Sequence, residues 1–154
     1  MKSHAFGADI QKILVAVDGS KSSIMALRWA VNFYKKNGGE LEVTSVWQVP
    51  FPTIELVAIG LSINADELSE HPRKIAQHRL NEVMKEVCGE SHPAGIKTSI
   101  EEGYASLVLI EKSREVDLLI MGNRGHSPLA STLIGSVSSS CIAHAHCPVV
   151  IIKE

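Results

Sequence analysis

Three glycines and a serine near the carboxyl end of the chain have the types and spacing of a phosphate-binding loop. They are Gly122, Gly125, Gly135 and Ser136, in the pattern G-x2-G-x9-G-S, directly behind the apolar run LLIM. A glycine after a strand removes the Cβ that would hold a ligand away from the main chain, and it permits a positive φ. At the start of a helix, backbone N–H groups and the helix dipole favour an anion, to which Ser136 can add a hydroxyl donor. The pattern therefore predicts a site that holds a phosphate chain.

A second polar turn, AVDGS from Ala16 to Ser20, also follows an apolar run. Its acidic residue, Asp18, has two interpretations: it lines a ligand site, or it caps the first helix, a role that Ser20 or Ser22 could equally take. Ligands of parallel sheets bind outside the carboxyl ends of the strands. We favour binding by Asp18, because the AVDGS turn and the glycine-rich turn then open onto one crevice.

The two common phosphate motifs, G-x-x-x-x-G-K-[ST] and G-x-G-x-x-G, are both missing from the sequence. A lone G-x2-G would be interpreted as an ordinary turn. The third glycine, the hydroxyl after it and Asp18 behind another strand together favour a nucleotide site over a simple turn.

The elements that must position these turns alternate along the chain. Five short runs rich in β-branched or aliphatic residues predict strands at 12–17, 41–47, 96–102, 117–121 and 148–153. Apolar residues at helical spacing lie between them: Leu27, Ala30, Val31 and Tyr34; Ala76, Leu80, Val83, Met84 and Val87; Leu107, Val108 and Ile110; Val137, Cys141 and Ile142. Near-continuous apolar strands that alternate with helices indicate a doubly wound α/β fold, with a parallel sheet covered by helices on both faces.

Glycine and proline mark the ends of the predicted helices. Gly38 and Gly39 close the first helix and Gly89 lies near the end of the second, which begins at Asp66 or around Pro72. Residues 48–65 fit neither period and are interpreted as a variable surface loop, either folded back on the sheet edge or covering a ligand or partner. Residues 1–10 are expected to form a loose arm.

Composition limits the class of protein. The 154 residues are 45% hydrophobic and 21% charged, with 15 Lys+Arg against 17 Asp+Glu, which is typical of one compact domain. The net charge of -2 gives no basic stripe for nucleic acid, and no apolar run is long enough to be a signal segment or to span a membrane, so we expect a cytoplasmic protein. The 3 cysteines form no C-x-x-C pair, and we interpret them as packing residues rather than nucleophiles or zinc ligands. We interpret His144 and His146 as residues of a helix C-terminus rather than as metal ligands.

These motifs resemble the ATP-binding branch of the universal stress protein family, whose signature is G-x2-G-x9-G-[ST] behind the fourth strand. The resemblance runs through ILVAVDGS, LEVTSVW, DLLIMGNRG and LIGSVSSSCIAHAHCPVVIIK, and it weakens between Gln48 and about Gly95. It implies one Rossmann-like domain over residues 1–154, with a five-stranded parallel sheet in the order 3-2-1-4-5. It also implies a homodimer through the last strand, whose exposed edge would invite a second chain.

The resemblance further implies a role for each residue that matches the family's motif. Asp18 would lie close to the ribose and to the metal-bound phosphates, and would therefore be the residue nearest to Mg²⁺. Asn123 and Arg124 occupy the linker between the first two glycines, where Arg124, with His126, could clamp a phosphate or face water. The other implied nucleotide contacts are Ala16, Val17 and Val46 at the adenine, Met121 and Gly122 at the ribose, and Gly125, Gly135, Ser136, Val137 and Ser138 along the phosphates.

The function that these features favour is the binding of an adenine nucleotide, ATP with Mg²⁺, by a stress-response or signalling module. Rapid turnover is not expected, because hydrolysis needs a positioned base and the sequence offers only Asp18 for a metal and Arg124 for charge. Three alternatives stay open: a slow Mg²⁺-dependent ATPase, a binder of AMP or a cyclic nucleotide, and a dimeric interaction scaffold with a vestigial pocket.

Overall fold

The structure, a computed structural model, describes residues 9–48, 60, 65–125 and 134–154. The strands are β1 (Lys12–Ala16), β2 (Glu40–Trp47), β3 (Ile96–Glu102), β4 (Leu118–Gly122) and β5 (Val149–Ile152). The helices are α1 (Lys21–Asn37), α2 (Ala65–Cys88), α3 (Ala105–Lys112) and α4 (Ser136–His144). Most of the predicted arm and surface loop, and His126, lie outside the described residues. Within the described ranges no helix combines the length and the apolarity needed to cross a bilayer.

The five strands form one parallel sheet in the order β3-β2-β1-β4-β5, which confirms the predicted α/β fold and strand order. Each predicted strand is present, and no observed strand end differs from the predicted one by more than one residue. The pairing of β1 with β2 extends past the end of β1, where the N–H of Val17 donates to the carbonyl of Thr44 at 2.9 Å. The chain therefore stays fixed up to the turn that holds Asp18.

Helices cover both faces of the sheet, so the core has two layers. On one face, α1 and α2 pack on alternate strand residues; the buried cluster there includes Leu27, Val31, Leu80, Val83 and Met84. On the other face, α3 and α4 pack through Leu109 and Cys141 onto Leu14 and Leu119. This arrangement explains why β1, β4 and β5 are apolar almost throughout, whereas β3, at the edge of the sheet, is mostly polar.

The apolar faces predicted for α1 and α2 are confirmed, but those of the two short helices are partly wrong. In α3 Leu109 is buried whereas Leu107 is 64% exposed, and in α4 Cys141 is buried whereas Ile142 is 50% exposed. The third helix contains consecutive apolar residues, so its sequence does not show which side faces the sheet.

The ends of the helices follow local chemistry. Ser20 is the N-cap of α1, and its hydroxyl accepts a hydrogen bond from the N–H of Ser23 at 3.3 Å. Gly38 ends α1 with a φ of 75°, and Gly89 follows α2 with a φ of 83°. The second helix begins at Ala65, next to Asp66, and a start near Pro72 is wrong, because Pro72 lies inside the helix. Proline removes one helical hydrogen bond, but the burial of Leu80 and Val83 beyond it holds the helix in place.

A half-buried ion pair network joins α3 to the outer strands. The ammonium of Lys112 lies 2.8 Å from carboxylate oxygens of both Glu42 and Glu101, and the hydroxyl of Ser99 donates to Glu42 at 2.6 Å. Burial raises the pKa of Glu42, but the hydrogen bonds from Lys112 and Ser99 and the nearby lysine charges outweigh it, so the pKa of Glu42 is lowered. The network anchors the carboxyl end of α3 beside β2 and β3.

We predict that Lys112→Gln destabilises the protein at neutral pH by about 0.5–1 kcal/mol, because two carboxylates then lack their cation. The stabilisation by the carboxylate of Glu42 is present above the ordinary glutamate pKa of about 4.3 and is lost as the pH falls through the lower pKa of the folded state. The difference in unfolding free energy between wild type and variant should therefore shrink below about pH 4. Urea denaturation across pH measures it.

Arg114→Gln is the control, because the ion pair of Arg114 with Glu111 is exposed, and its removal should change little at any pH. A Lys112→Gln effect that does not depend on pH would show that the network stabilises the fold by packing alone.

Candidate functional site

A cleft lies at the carboxyl ends of β1 and β4, which are neighbours in the centre of the sheet. The chain leaves β1 toward β2 on one side, and β4 leads to β5 on the other, so this is the switch point at which doubly wound sheets bind ligands. The cleft encloses about 230 Å³. Because sites that enclose a drug-sized ligand measure roughly 300–1,000 Å³, this volume suits a ligand with one end left in solvent.

Two serines at the N-terminus of α1, the N-cap Ser20 and Ser22, hold the turns of β1 and β4 together. The hydroxyl of Ser22 donates to the carbonyl of Arg124 at 2.5 Å, and the hydroxyl of Ser20 donates to the same carbonyl at 3.2 Å. The N–H of Arg124 in turn donates to the Ser22 hydroxyl at 3.4 Å. Ser22 is fully buried, so this contact lies inside the protein and fixes the distance between the two turns.

Packing within the protein requires glycine at position 122. The position that a Cβ on Gly122 would take is 2.7 Å from the carbonyl carbon of Ser22 and 2.8 Å from its Cβ, and it also meets the Ser22 hydroxyl. The absence of a side chain therefore lets α1 approach the end of β4. Neither Gly122 nor Gly125 has a positive φ, so the left-handed conformation that glycine permits is not used at either position.

Gly125 and Gly135 face the cleft in different ways. A Cβ on Gly125 would lie 2.8 Å from the Oδ2 of Asp18, so this glycine allows the two turns to meet across the cleft. Among the residues that the structure describes, the nearest atoms to a Cβ on Gly135 would lie 3.6 Å away, and the φ of Gly135 is -70°. Neither packing against the described residues nor backbone conformation requires glycine at 135, which leaves its main chain accessible from the cleft that it lines.

The N-terminus of α4 completes the wall of the cleft. Gly135 is its N-cap and supplies no side-chain hydrogen bond to the first turn, where the N–H groups of Ser136, Val137 and Ser138 begin the helix. The hydroxyl of Ser138 donates to the carbonyl of Gly122 at 2.8 Å and is therefore used within the protein. Ser138 can offer a ligand its backbone N–H, whereas Ser136 is exposed and can offer its hydroxyl as well.

Asp18 lies on the opposite wall. Its Oδ1 accepts a hydrogen bond from the N–H of Ser20 at 2.9 Å, and its own N–H donates to the hydroxyl of Ser23 at 3.3 Å. Asp18 is therefore not the N-cap of α1, a position that Ser20 takes. Its Oδ2 is directed at Gly125, so the carboxylate is held at the cleft.

Comparison with known proteins identifies the family. The family model for the universal stress protein family matches residues 9–153. The chain belongs to the universal stress protein family. A universal stress protein of Methanocaldococcus jannaschii is 32% identical over 146 residues, which are 94% of this chain and 82% of that protein. A universal stress protein of Mycobacterium bovis is 33% identical over 92% of this chain. The match covers 48% of that protein, so this chain spans about half the length of that relative.

Solved structures share the fold of this universal stress protein family member. The hypothetical protein MJ0577 superposes with a TM-score of 0.77 over 96% of this chain and 98% of that one, at 24% identity. A universal stress protein in complex with cAMP gives a TM-score of 0.58 over 94% and 98%, at 22% identity. A universal stress protein from Archaeoglobus fulgidus in complex with dAMP gives a TM-score of 0.54 over 94% of this chain and 99% of that one, at 18% identity.

The structure brings together the residues to which the family resemblance assigns nucleotide contacts, with one exception. Asn123 is buried and does not line the cleft; its carbonyl accepts a hydrogen bond from Gly135 at 2.7 Å and its N–H donates to Ile152 at 2.9 Å. It therefore ties the signature loop to β5. The predicted residues that line the cleft are Ala16, Val17, Asp18, Val46, Met121, Gly122, Arg124, Gly125, Gly135, Ser136, Val137 and Ser138.

Sequence reasoning missed four residues of the cleft, namely Ser23, Thr44, Ala105 and Leu109. Ala105 and Leu109 lie on α3, which no motif of the universal stress protein signature marks. Their place in the site follows from the packing of α3 against the sheet. For Ser23 a signal was present, because it lies in the first turn of the helix that follows Asp18.

The cysteines have a packing role, as predicted. Cys141 and Cys147 are buried, and burial raises the pKa of each thiol to about 11. At neutral pH both thiols stay protonated and are poor nucleophiles. His144 lies in the last turn of α4, as the sequence indicates, whereas His146 lies beyond the C-cap, Ala145.

We predict that Gly122→Ala destabilises the protein by about 1–3 kcal/mol, because the added methyl group meets the backbone of Ser22. Gly135→Ala is the matched control from the same signature and should cost less than about 1 kcal/mol, because space for its Cβ is available. Urea denaturation of both variants measures the difference. Equal losses would contradict the assignment of Gly122 to packing.

Proposed function

We propose that this protein binds an adenine nucleotide, with its phosphates on the glycine loop and the N-terminus of α4. The observation that carries the proposal is Gly135, because no contact with the described residues requires a glycine there and its main chain adjoins the first turn of α4. A helix N-terminus with N–H groups directed at a cleft is suited to an anion. Residues 126–133 of the same loop lie outside the described residues.

The other end of the cleft suits a purine ring. Ala16, Val46, Leu109 and Met121 line it with aliphatic side chains, and a ring that packs on them is removed from water. The complexes of two family members with cAMP and dAMP support an adenine nucleotide as the ligand class. Within this class we propose ATP, because Asp18 and Arg124 extend the polar part of the site beyond the glycines.

The carboxylate of Asp18 is a suitable ligand for Mg²⁺. Mg²⁺ is usually bound by one or two carboxylates together with phosphate oxygens and water, rather than by a cage of protein ligands. The Asp18 carboxylate at the cleft is such a donor. We propose that Asp18 holds Mg²⁺ that accompanies the phosphates, which would offset the repulsion between this carboxylate and the ligand.

We propose binding rather than rapid hydrolysis. Among the described residues that line the cleft, the charged ones are Asp18 and Arg124, and there is no histidine, glutamate or lysine to act as a base on water. A carboxylate that holds a metal does not also activate water efficiently. The protein would then act as a nucleotide-responsive stress or signalling module.

A cyclic nucleotide is the second candidate, because one of the superposed family members is a complex with cAMP. A cyclic monophosphate would use the aliphatic end of the cleft and the glycine loop but would make little use of Asp18. Competition between Mg-ATP and cAMP for the purified protein separates the two ligands.

We predict that Gly135→Val reduces Mg-ATP binding at least 10-fold, because the valine side chain fills the space beside the N-terminus of α4. The φ of -70° accepts valine, so the fold should be retained. Calorimetric titration of wild type and variant measures binding, and mass spectrometry of the denatured wild type identifies any nucleotide that copurifies. Full binding by the variant, or no adenine nucleotide bound by wild type, would refute the proposed site.

We also propose that the protein forms a homodimer through β5. This strand lies at the edge of the sheet and pairs with β4 on one side, and its residues from Val149 to Ile152 are half-buried. An apolar edge strand presents unpaired backbone groups that a second copy can satisfy.

We predict that the wild type is a dimer by light scattering and that Ile152→Glu shifts it to the monomer, because a charge at this edge opposes close pairing. Leu107→Glu is the control, since Leu107 is exposed on α3 and not on β5. Circular dichroism checks that both variants are folded. A variant at Ile152 that stays dimeric would place the interface elsewhere.

A further inference from the structure

An arginine of α2 lies against the turn that carries Asp18. The position of a Cβ on Gly19 is 2.6 Å from the Cδ and 2.9 Å from the Cγ of Arg79, so the stem of Arg79 occupies the space that glycine leaves. The Nη1 of Arg79 donates a hydrogen bond to the carbonyl of Asp18 at 3.3 Å. Two consecutive residues of the turn thus position one guanidinium beside the cleft.

The charge balance of the cleft suggests that Arg79 supplies positive charge for a bound phosphate chain. Asp18 and Arg124 cancel one another, so the described lining adds no net positive charge for a polyphosphate. None of the ion pairs among the described residues involves Arg79, and its one long hydrogen bond uses only part of its donor capacity. A guanidinium with several N–H groups left to donate is well suited to phosphate oxygens.

Position decides which phosphate Arg79 can reach. The first phosphate lies at Gly135 and the N-terminus of α4, if the proposed function holds. The next would extend across the cleft toward the wall formed by Asp18, whose Oδ2 faces Gly125. Arg79 is not one of the residues that line the cleft, and its guanidinium is held at the Asp18 carbonyl, so we expect a monophosphate at Gly135 not to contact it.

We propose that Arg79 contacts the outermost phosphate of a bound nucleotide and makes the site selective for a triphosphate over a monophosphate. This inference rests on the proposed function, because it assumes that the phosphates occupy the glycine loop. It assigns a specificity role to α2, which the G-x2-G-x9-G-S signature does not include.

The test is calorimetric titration of Mg-ATP and of AMP into wild type, Arg79→Gln and Arg79→Lys. Loss of a charge-assisted contact with phosphate should weaken Mg-ATP binding about 10-fold in Arg79→Gln. AMP binding should change less than about twofold, and Arg79→Lys should recover most of the ATP affinity because it keeps the charge. Arg28→Gln is the control: it removes a positive charge that pairs with Glu86 of α2 at 2.7 Å, away from the turn, and should alter neither affinity.

The outcomes separate the two proposals. Equal weakening of ATP and AMP by Arg79→Gln would show that Arg79 only supports the turn, and unchanged ATP binding would show that it does not reach the ligand; either result overturns the inference and leaves the proposed function intact. If the wild type binds neither nucleotide, the proposed function fails, and the selectivity proposed for Arg79 fails with it.

Discussion

The close approach of α1 to the end of β4 is the constraint on which the site depends. Gly122 lacks the Cβ that would meet the backbone of Ser22, and the buried Ser22 hydroxyl then reaches the carbonyl of Arg124. Because a buried hydroxyl must find partners within the protein, this contact is specific in distance and direction. It sets the separation between the turn with Asp18 and the turn with Gly125, and thus the width of the cleft.

Hydrogen bonds to the main chain fix the rest of the site. The N–H of Gly135 donates to Asn123, the Ser138 hydroxyl donates to Gly122, and the N–H of Asn123 donates to Ile152 at the end of β5. The N-terminus of α4 is therefore fixed to the end of β4 before any ligand arrives. A preorganised cradle of this kind loses little conformational freedom when it binds an anion, which suits a protein whose proposed role is to bind a nucleotide rather than to transform it.

How much was predictable from the sequence differs between elements. The long helices α1 and α2 alternate apolar and polar residues over several turns, so their buried faces could be predicted residue by residue. In the short helix α3 the four residues from Leu107 to Ile110 are all apolar, and the sequence could not show that Leu109 turns inward while Leu107 is 64% exposed. The same ambiguity concealed Leu109 and Ala105 as residues of the cleft. Asp18 likewise had two local interpretations, and only the observed cap at Ser20 decides that it does not cap α1.

The sequence by itself determined the order of strands and helices, the family and the loops that would meet at the carboxyl end of the sheet, because local periodicity and the spacing of glycines are properties of the chain alone. Only the tertiary structure shows what the absence of a side chain does at each glycine of the signature. Gly122 allows α1 to pack closely against the end of β4, and Gly125 allows the carboxylate of Asp18 to approach. At Gly135 no described residue comes close to the position of a Cβ. The tertiary structure also placed Arg79 of α2 beside Asp18, 61 residues away in sequence. These contacts depend on the packing of elements distant along the chain, which no local pattern encodes.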